Sequence, residues 1–197
     1  THHTYFAWKL NEVFPLHAVF LETKGIIPHF ETFHPFEALR DAYEREALLK
    51  DFDDTINDVT DTRNFESMNS EKCVFALQVL KPDIVIVFGT GKLHMPLIRI
   101  ASVACFNLHG GNPERYRGLD THLWAIYHND FNDLVTTLHY VDANLDTGDI
   151  VLQSELSFES NAQLYQMRAI NTKVCINLSL VSLNTLHLIG CLPSRKQ

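Results

Sequence analysis

The stretch that decides the fold is Ile84-Val85-Ile86-Val87-Phe88, which is followed directly by Gly89-Thr90-Gly91. An unbroken β-branched run of this kind is typical of a strand covered on both faces, as in the middle of a parallel sheet. The glycines end the run. On either side of it, apolar runs of strand length alternate with helical patterns. That alternation predicts an α/β fold, a mainly parallel central sheet flanked by helices, in one domain.

The remaining elements follow from periodicity and from the turn residues between them. Further strands are predicted at 18–21, 103–108, 135–141 and 150–158, and helices at 5–13, 35–47, 70–80, 120–128 and 161–189. The acidic stretch 51–66 is predicted to be a loop or a weak helix. Doubly wound domains usually open with a strand, whereas this sequence opens with a helical pattern, so an initial strand is expected to be missing.

Composition narrows the class of protein. With 197 residues, 46% hydrophobic and 20% charged, the chain is expected to form a soluble globular domain. The net charge of −8 and a single basic cluster, Arg195-Lys196, argue against a nucleic-acid partner. No apolar run suggests a membrane span and no signal peptide opens the chain. The four widely spaced cysteines form no Cys-x-x-Cys pair, so reduced thiols and a cytoplasmic location are expected.

Two turn-rich segments carry the candidate chemistry. Phe106-Asn107-Leu108-His109-Gly110-Gly111 closes a predicted strand, and Leu145-Asp146-Thr147-Gly148 lies between two others. Asn107 and His109 are two residues apart, so they face the same cleft, at the strand end where open α/β sheets bind ligands. An amide, an imidazole and a carboxylate suit the transfer of an acyl group to an amine. Taken singly, His109 would more often be a satisfied strand-end histidine, and Asp146 a turn cap.

Together these residues resemble the folate-dependent formyltransferase family, which includes glycinamide ribonucleotide transformylase, methionyl-tRNA formyltransferase and the sugar N-formyltransferases. The resemblance rests on Asn-x-His at Asn107 and His109, on Tyr116-Arg117-Gly118 and on Leu-Asp-x-Gly at Asp146. It covers about residues 5–158. It implies a Rossmann-like formyltransferase catalytic domain over 1–158, with 159–197 as a helical segment of the same domain.

The resemblance also implies the roles of individual residues. Asn107, His109 and Asp146 would be catalytic, with 10-formyltetrahydrofolate as the co-substrate. The folate would lie between the turn after the strand at 84–88 and the loop at 142–146. The residues expected to bind it are Phe88, Gly89, Lys92, Leu93 and Asp142. No metal is expected: eleven histidines are present, but His109, His122, His128 and His139 lack a recognised ligand spacing.

His109-Gly110-Gly111-Asn112-Pro113 is similar to the sugar N-formyltransferases rather than to the His-Pro-Ser form of the tRNA and purine enzymes. The implied acceptor is a nucleotide-linked amino-dideoxy sugar, with dTDP-4-amino-4,6-dideoxyglucose favoured, as in O-antigen or lipopolysaccharide biosynthesis. The residues expected to bind it are Gly110, Gly111, Tyr116, Arg117 and Trp124. Trp124 and Tyr127 stand three apart on a predicted helix, and that spacing favours a place in the core over stacking on a base.

Three alternatives remain open. A glycinamide ribonucleotide transformylase has the same catalytic set, whereas a methionyl-tRNA formyltransferase normally carries a further basic C-terminal domain for which no length is left here. A folate- or nucleotide-binding module without turnover is the non-enzymatic alternative. The apolar C-terminal helical stretch also suggests a homodimer contact.

Overall fold

The computed structural model describes residues 1–25, 34–52 and 55–197. The helices are α1 (His2–Asn11), α2 (Glu37–Leu49), α3 (Ile56–Val59), α4 (Glu71–Leu80), α5 (Met95–Ile98), α6 (Thr121–Tyr127) and α7 (Met167–Ile189). The strands are β1 (Val19–Glu22), β2 (Thr62–Phe65), β3 (Ile84–Phe88), β4 (Ala104–His109), β5 (Val135–Tyr140) and β6 (Ile150–Glu155). Short 3₁₀ turns lie at Phe131–Asp133 and Leu164–Gln166. The α/β fold predicted from the alternating pattern is confirmed.

The strands form two sheets. In the smaller one β1 pairs with β2 in parallel. In the larger one the order is β3-β4-β5-β6, parallel between β3 and β4 and antiparallel at the two following pairs. The sheet is therefore more mixed than predicted. The β5–β6 loop, residues 141–149, is shorter than the dozen or so residues that a parallel crossover needs, so these two strands must run antiparallel.

The stretch 51–66 holds more structure than predicted, although residues 53–54 lie outside the described part. It contains α3 and the whole of β2. The sequence of β2, Thr-Arg-Asn-Phe, lacks the apolar character of a central strand, and its residues are half-buried or exposed. Pairing with β1 makes this segment a strand, and that pairing is not visible in the local sequence.

Two apolar clusters cover the two faces of the larger sheet. One is built around Leu10, Phe106, Leu138 and Cys175, and it joins α1 and α7 to the sheet. The other contains Cys73, Val87, Leu97 and Cys105 under α4 and α5. Cys73, Cys105 and Cys175 are buried free thiols, while Cys191 is exposed. Burial raises the pKa of the Cys105 thiol to about 12, so it remains protonated and acts as a small apolar group.

The long helix α7 closes the domain against α1, α2, β5 and β6. A two-point ion pair holds it to α2, because Nη2 and Nε of the half-buried Arg168 donate to the fully buried Glu44 carboxylate at 2.8 and 2.5 Å. By length and apolar composition alone, the segment Leu164–Ile189 would also be able to cross a membrane, and a third of it is buried inside the protein. Core helices of globular proteins satisfy the same criterion.

Candidate active site

The end of β4 presents two polar side chains to the same side of the sheet. Asn107 and His109 alternate with the buried residues Phe106 and Leu108, as the two-residue repeat of a strand requires. His109 is 5% exposed, so its imidazole is almost completely removed from water. The antiparallel partner β5 places His139 directly opposite Asn107.

The loop between β5 and β6 brings the carboxylate of Asp146 to these residues. Its Oδ1 accepts a hydrogen bond from Asn107 Nδ2 at 3.2 Å, and its Oδ2 lies 3.5 Å from His109 Nδ1. The Gly118 N–H donates to Oδ2 at 2.9 Å. Asp146 itself has a left-handed backbone, with φ of 52°. Aspartate adopts this conformation several-fold more readily than most residues, so it suits the turn at this position. The three residues singled out from the sequence therefore meet in space.

Gly148 explains why a glycine stands two residues after Asp146. A Cβ at this position would collide with the Tyr140 carbonyl group and lie 2.7 Å from its carbon atom. The loop thus returns directly against the backbone of β5. Only glycine permits that approach, and the approach holds the carboxylate of Asp146 over the end of β4.

His139 belongs to the site although it was not among the predicted site residues. Its Nδ1 lies 2.7 Å from the Tyr140 carbonyl oxygen, so Nδ1 must carry a proton. In the neutral ring Nε2 is then an acceptor, and it lies 3.1 Å from Asn107 Nδ2. The same Nε2 is 3.7 Å from Asp146 Oδ1. The sequence signal was its place on β5, but only the register with β4 puts it opposite Asn107.

These contacts define the orientation of the Asn107 amide. Nδ2 faces two acceptors, His139 Nε2 and Asp146 Oδ1, so both of its protons are engaged. The opposite orientation would place the amide oxygen against a carboxylate oxygen and an imidazole lone pair. In this state Asn107 can donate to a bound substrate only by giving up one of these two bonds.

His109 lies between two acceptors. Its Nε2 is 2.8 Å from the Tyr116 carbonyl oxygen and therefore donates to it, which leaves Nδ1 facing Asp146. Burial lowers the pKa of His109, while Asp146 and the Tyr116 carbonyl act in the opposite direction. Burial alone would raise the pKa of Asp146, but the polar groups around it, the donating Gly118 N–H among them, hold it below its ordinary value. The pair thus combines a neutral imidazole with a carboxylate ready to stabilise a proton at Nδ1.

A crevice with a cavity volume of about 50 Å³, open to solvent, adjoins this cluster. Asn107, His139 and Asp146 line it together with Lys92, Leu93 and Asp142. The Asp142 carboxylate accepts bonds from the Asn144 N–H and the Thr147 hydroxyl, so it also shapes the loop.

Phe88 and Gly89, also expected to bind the folate, do not line this crevice with their side-chain positions. The Phe88 ring packs against α1, 5.1 Å from the Phe6 ring and 5.2 Å from the His3 ring. Gly89, with φ of 72°, faces the same His3, whose Nε2 would lie 3.0 Å from an added Cβ. Since alternate side chains of a strand point to opposite faces, Phe88 is turned away from the side that Val87 presents to the crevice.

The residues expected to bind the acceptor lie in the segment that follows β4 and on α6. Gly110 and Gly111 form the turn after β4, and Tyr116 contributes its carbonyl to His109. The Arg117 Nε donates to the Pro113 carbonyl oxygen at 2.8 Å, and its guanidinium also reaches Gln197 Oε1 at 3.3 Å.

The outer face of α6 is aromatic and exposed, so the expectation that Trp124 and Tyr127 lie in the core is wrong. Trp124 is 44% exposed and Tyr127 is 73% exposed. The inner face of α6 is instead covered by Thr121, His122 and Ala125. His128 stacks on Trp124 and on Tyr116, in both cases with ring centroids 6.2 Å apart. The rings of Tyr116, His128 and Trp124 thus form a row, with angles of 28° and 23° between neighbouring ring planes.

Within the described ranges, no group of three or more His, Cys, Asp or Glu side chains is arranged to hold a metal ion.

Comparison with known proteins identifies the family of this chain. The sequence model of the family described as "Formyl transferase" matches residues 41–172. The methionyl-tRNA formyltransferase of Clostridioides difficile (strain 630) is 33% identical over 86 residues, which are 43% of this chain and 28% of that protein. The chain therefore matches less than a third of that curated relative's length.

Solved structures show the same fold at low identity. The phosphoribosylglycinamide formyltransferase from Streptococcus pneumoniae TIGR4 superposes with a TM-score of 0.63 at 15% identity, covering 94% of both chains. The formyltransferase PseJ from Anoxybacillus kamchatkensis, in complex with UDP-4,6-dideoxy-4-formamido-L-AltNAc and tetrahydrofolate, gives 0.53 at 20% identity over 91% of this chain and 81% of that one. Because the family model matches two thirds of the sequence, from the middle of α2 into α7, this chain belongs to the formyl transferase family.

Proposed function

We propose that this protein transfers a formyl group from 10-formyltetrahydrofolate to the amine of a nucleotide-linked amino-dideoxy sugar. The observation that carries the proposal is the convergence of Asn107, His109 and Asp146 beside an open crevice that Asn107 and Asp146 line. The PseJ structure supports both parts, since it was obtained with tetrahydrofolate and a nucleotide-linked formamido sugar.

The chemistry follows from the residue types. The amine nitrogen attacks the formyl carbon, the bond from that carbon to N10 breaks, and its electron pair goes to N10. The amine loses one proton and N10 gains one, so the products are a formamide and tetrahydrofolate. Asn107 would move one N–H from His139 or Asp146 to the developing oxyanion. His109, neutral in its buried place, would take a proton at Nδ1 beside Asp146.

The folate would occupy the crevice lined by Lys92, Leu93 and Asp142. The bound folate would place its formyl group next to Asn107 and Asp146, which also line the crevice. Phe88 and Gly89 would contribute through the backbone at the end of β3, because their far sides face α1. In this proposal residues 1–158 form the catalytic unit, and the segment 159–197 completes the same domain.

The acceptor would bind to the segment after β4 and to α6, through Gly110, Gly111, Tyr116, Arg117 and Trp124. The exposed indole of Trp124 offers a flat apolar face for a nucleobase, which supports a nucleotide carrier. Among such carriers we favour dTDP-4-amino-4,6-dideoxyglucose, on the similarity of His109-Gly110-Gly111 to the sugar enzymes.

Glycinamide ribonucleotide is the second candidate acceptor. The structure of the streptococcal phosphoribosylglycinamide formyltransferase matches this chain over nearly the full length of both. Methionyl-tRNA is the third candidate, because curated relatives are named methionyl-tRNA formyltransferase. The net charge of −8 argues against tRNA, because a protein that binds a nucleic acid normally needs basic residues to contact the phosphates.

The test is a mass-spectrometric assay with 10-formyltetrahydrofolate and a panel of acceptors: dTDP- and UDP-linked 4-amino sugars, glycinamide ribonucleotide and methionyl-tRNA. A gain of one formyl group on an amino sugar supports the proposal and identifies the acceptor. Formylation of glycinamide ribonucleotide alone would overturn the sugar assignment. Binding of tetrahydrofolate with no acceptor modified would instead indicate a binding module.

The catalytic assignment is tested in the same assay with His109→Ala. The matched control is His187→Ala, at an exposed histidine near the end of α7. The first variant is expected to lose at least 10²-fold in turnover and to keep tetrahydrofolate binding, since general acid–base groups contribute about 10²–10⁴-fold. The control is expected to keep wild-type turnover.

A further inference from the structure

The turn that follows His109 is held by buried hydroxyl groups from two other elements. The Thr121 hydroxyl, in the first turn of α6, donates to the Gly110 carbonyl oxygen. The Thr137 hydroxyl, on β5, donates to the Gly111 carbonyl oxygen at 2.8 Å. Both threonines are buried, and Thr137 is completely inaccessible. Two consecutive carbonyl groups that would otherwise be buried without partners are thereby satisfied.

The space around this turn leaves no room for side chains. At Gly111, which has φ of 152°, an added Cβ would lie 2.9 Å from Thr121 Oγ1. At Gly110 an added Cβ would lie 3.1 Å from Cε1 of the buried His122. The His122 ring is held in turn by its Nε2, which donates to the Val135 carbonyl oxygen at 2.7 Å. The turn is therefore enclosed as well as hydrogen-bonded.

A contact with Gln153 determines that the Thr137 hydroxyl donates to the turn. Gln153 Nε2 donates to Thr137 Oγ1 at 2.8 Å, so the single hydroxyl proton of Thr137 is free to go to Gly111. The chain of donors runs from β6 through β5 to the turn after β4. A valine at 137 would keep the shape of the side chain and break this chain at its centre.

Thr137 lies next to the catalytic imidazole in the sheet. It is the direct cross-strand partner of His109. The Gly111 N–H donates back to the His109 carbonyl oxygen at 3.1 Å, so the clamped turn is tied to the backbone of His109 itself. The turn then leads to Tyr116, whose carbonyl accepts from His109 Nε2.

From these contacts we propose that Thr137 is a positioning residue for the reaction: by clamping Gly111, it sets the orientation in which His109 meets Asp146 and the Tyr116 carbonyl. Without the hydroxyl, the Gly111 carbonyl is left buried and unpaired, and the turn relaxes to find another donor. The His109 ring moves with the turn. A displacement of about 1 Å in a catalytic group is enough to reduce turnover about 10²-fold.

The chain offers a closely matched control in the preceding residue. Thr136 is also a threonine of β5, also completely buried, and its hydroxyl also donates one hydrogen bond. That bond goes to Asn171 Oδ1 on α7, on the other face of the sheet. Thr137→Val and Thr136→Val therefore remove the same group at the same depth, and only the first removes a hydrogen bond to the turn itself.

The experiment compares Thr137→Val, Thr137→Ser and Thr136→Val by formyl-transfer kinetics and by NMR of the His109 ring, assigned with His109→Gln. For Thr137→Val we expect a 10- to 10²-fold lower kcat, an unchanged KM for the folate and shifted His109 resonances. Thr137→Ser restores both, and Thr136→Val changes neither. If Thr137→Val is insoluble, Thr137→Ala takes its place.

Equal losses of kcat in Thr137→Val and Thr136→Val, or unmoved His109 resonances in Thr137→Val, would overturn the proposal. The kinetic comparison rests on the proposed function, but the NMR comparison does not. If no acceptor in the panel is formylated, the proposed function fails while the His109 resonances still decide whether Thr137 positions the ring.

Discussion

Replacing Gly148 by alanine tests how the loop delivers Asp146 to the site. The new Cβ would overlap the Tyr140 carbonyl oxygen and lie 2.7 Å from its carbon, where ordinary contact begins at 3.4 Å. The obstacle is backbone within β5, which cannot rotate away as a side chain would. The loop must therefore withdraw by about 1 Å or more, a displacement that costs about 10²-fold in rate when it affects a catalytic group.

The same substitution is expected to lower the free energy of unfolding by about 1–3 kcal/mol, the usual range for overpacking. The Tyr140 carbonyl also accepts the Nδ1 proton of His139, so the collision disturbs a second member of the site. Formyl-transfer rates measured on folded protein should therefore fall together with stability in urea unfolding.

Gly25→Ala is the control for Gly148→Ala. Among the residues that the structure describes, nothing lies within 4 Å of a Cβ at Gly25, and its φ is outside the left-handed region. Stability there should stay level or rise by up to about 1 kcal/mol, because alanine restricts the unfolded chain. A Gly148→Ala protein that keeps the wild-type rate and stability would refute the reasoning. A loss of stability alone would show that the position of Asp146 does not depend on this close approach.

Three further outcomes follow from the charges inside the protein. Asp146→Asn removes the charge that opposes burial at His109, so the His109 pKa should fall further in an NMR titration and turnover should fall about 10²-fold or more; an unchanged titration would contradict this. Burial lowers the pKa of His122 to about 4, below the 6.5 of the unfolded chain. The stability that neutral His122 contributes to the fold is therefore fully present above pH 6.5 and is lost as the pH falls toward 4. Unfolding free energies should thus drop by about 2 kcal/mol at pH 5 from this residue alone, and His122→Asn should flatten the dependence. Arg168→Met leaves the fully buried Glu44 without its partner and should cost about 3–5 kcal/mol in urea unfolding, most of which the added change Glu44→Gln should recover.

Local sequence was enough for the elements that carry strong periodicity. The run at β3, the turn after β4 and the helix α4 were predicted within a residue or two, because burial on both faces or on one stripe leaves a direct mark on residue order. The strand β2 was missed because half-buried polar residues leave no such mark.

The candidate site divides in the same way. Asn107 and His109 were predictable as a pair, since residues two apart on a strand share a side. His139 was not, because its place opposite Asn107 depends on the register of β5 against β4. The direction of the Phe88 ring and the exposure of Trp124 likewise depend on which element packs against each face.

By itself the sequence determined the α/β class, the order of most elements and the residue types of the acyl-transfer set, because these depend on local periodicity and on turn chemistry. Tertiary structure alone decided that Asp146 reaches both Asn107 and His109, that His139 joins them and that Thr137 clamps the turn. The physical reason is that hydrogen bonds between residues 26 to 39 positions apart are set by strand pairing and close backbone approach, and neither is encoded in any short stretch of the chain.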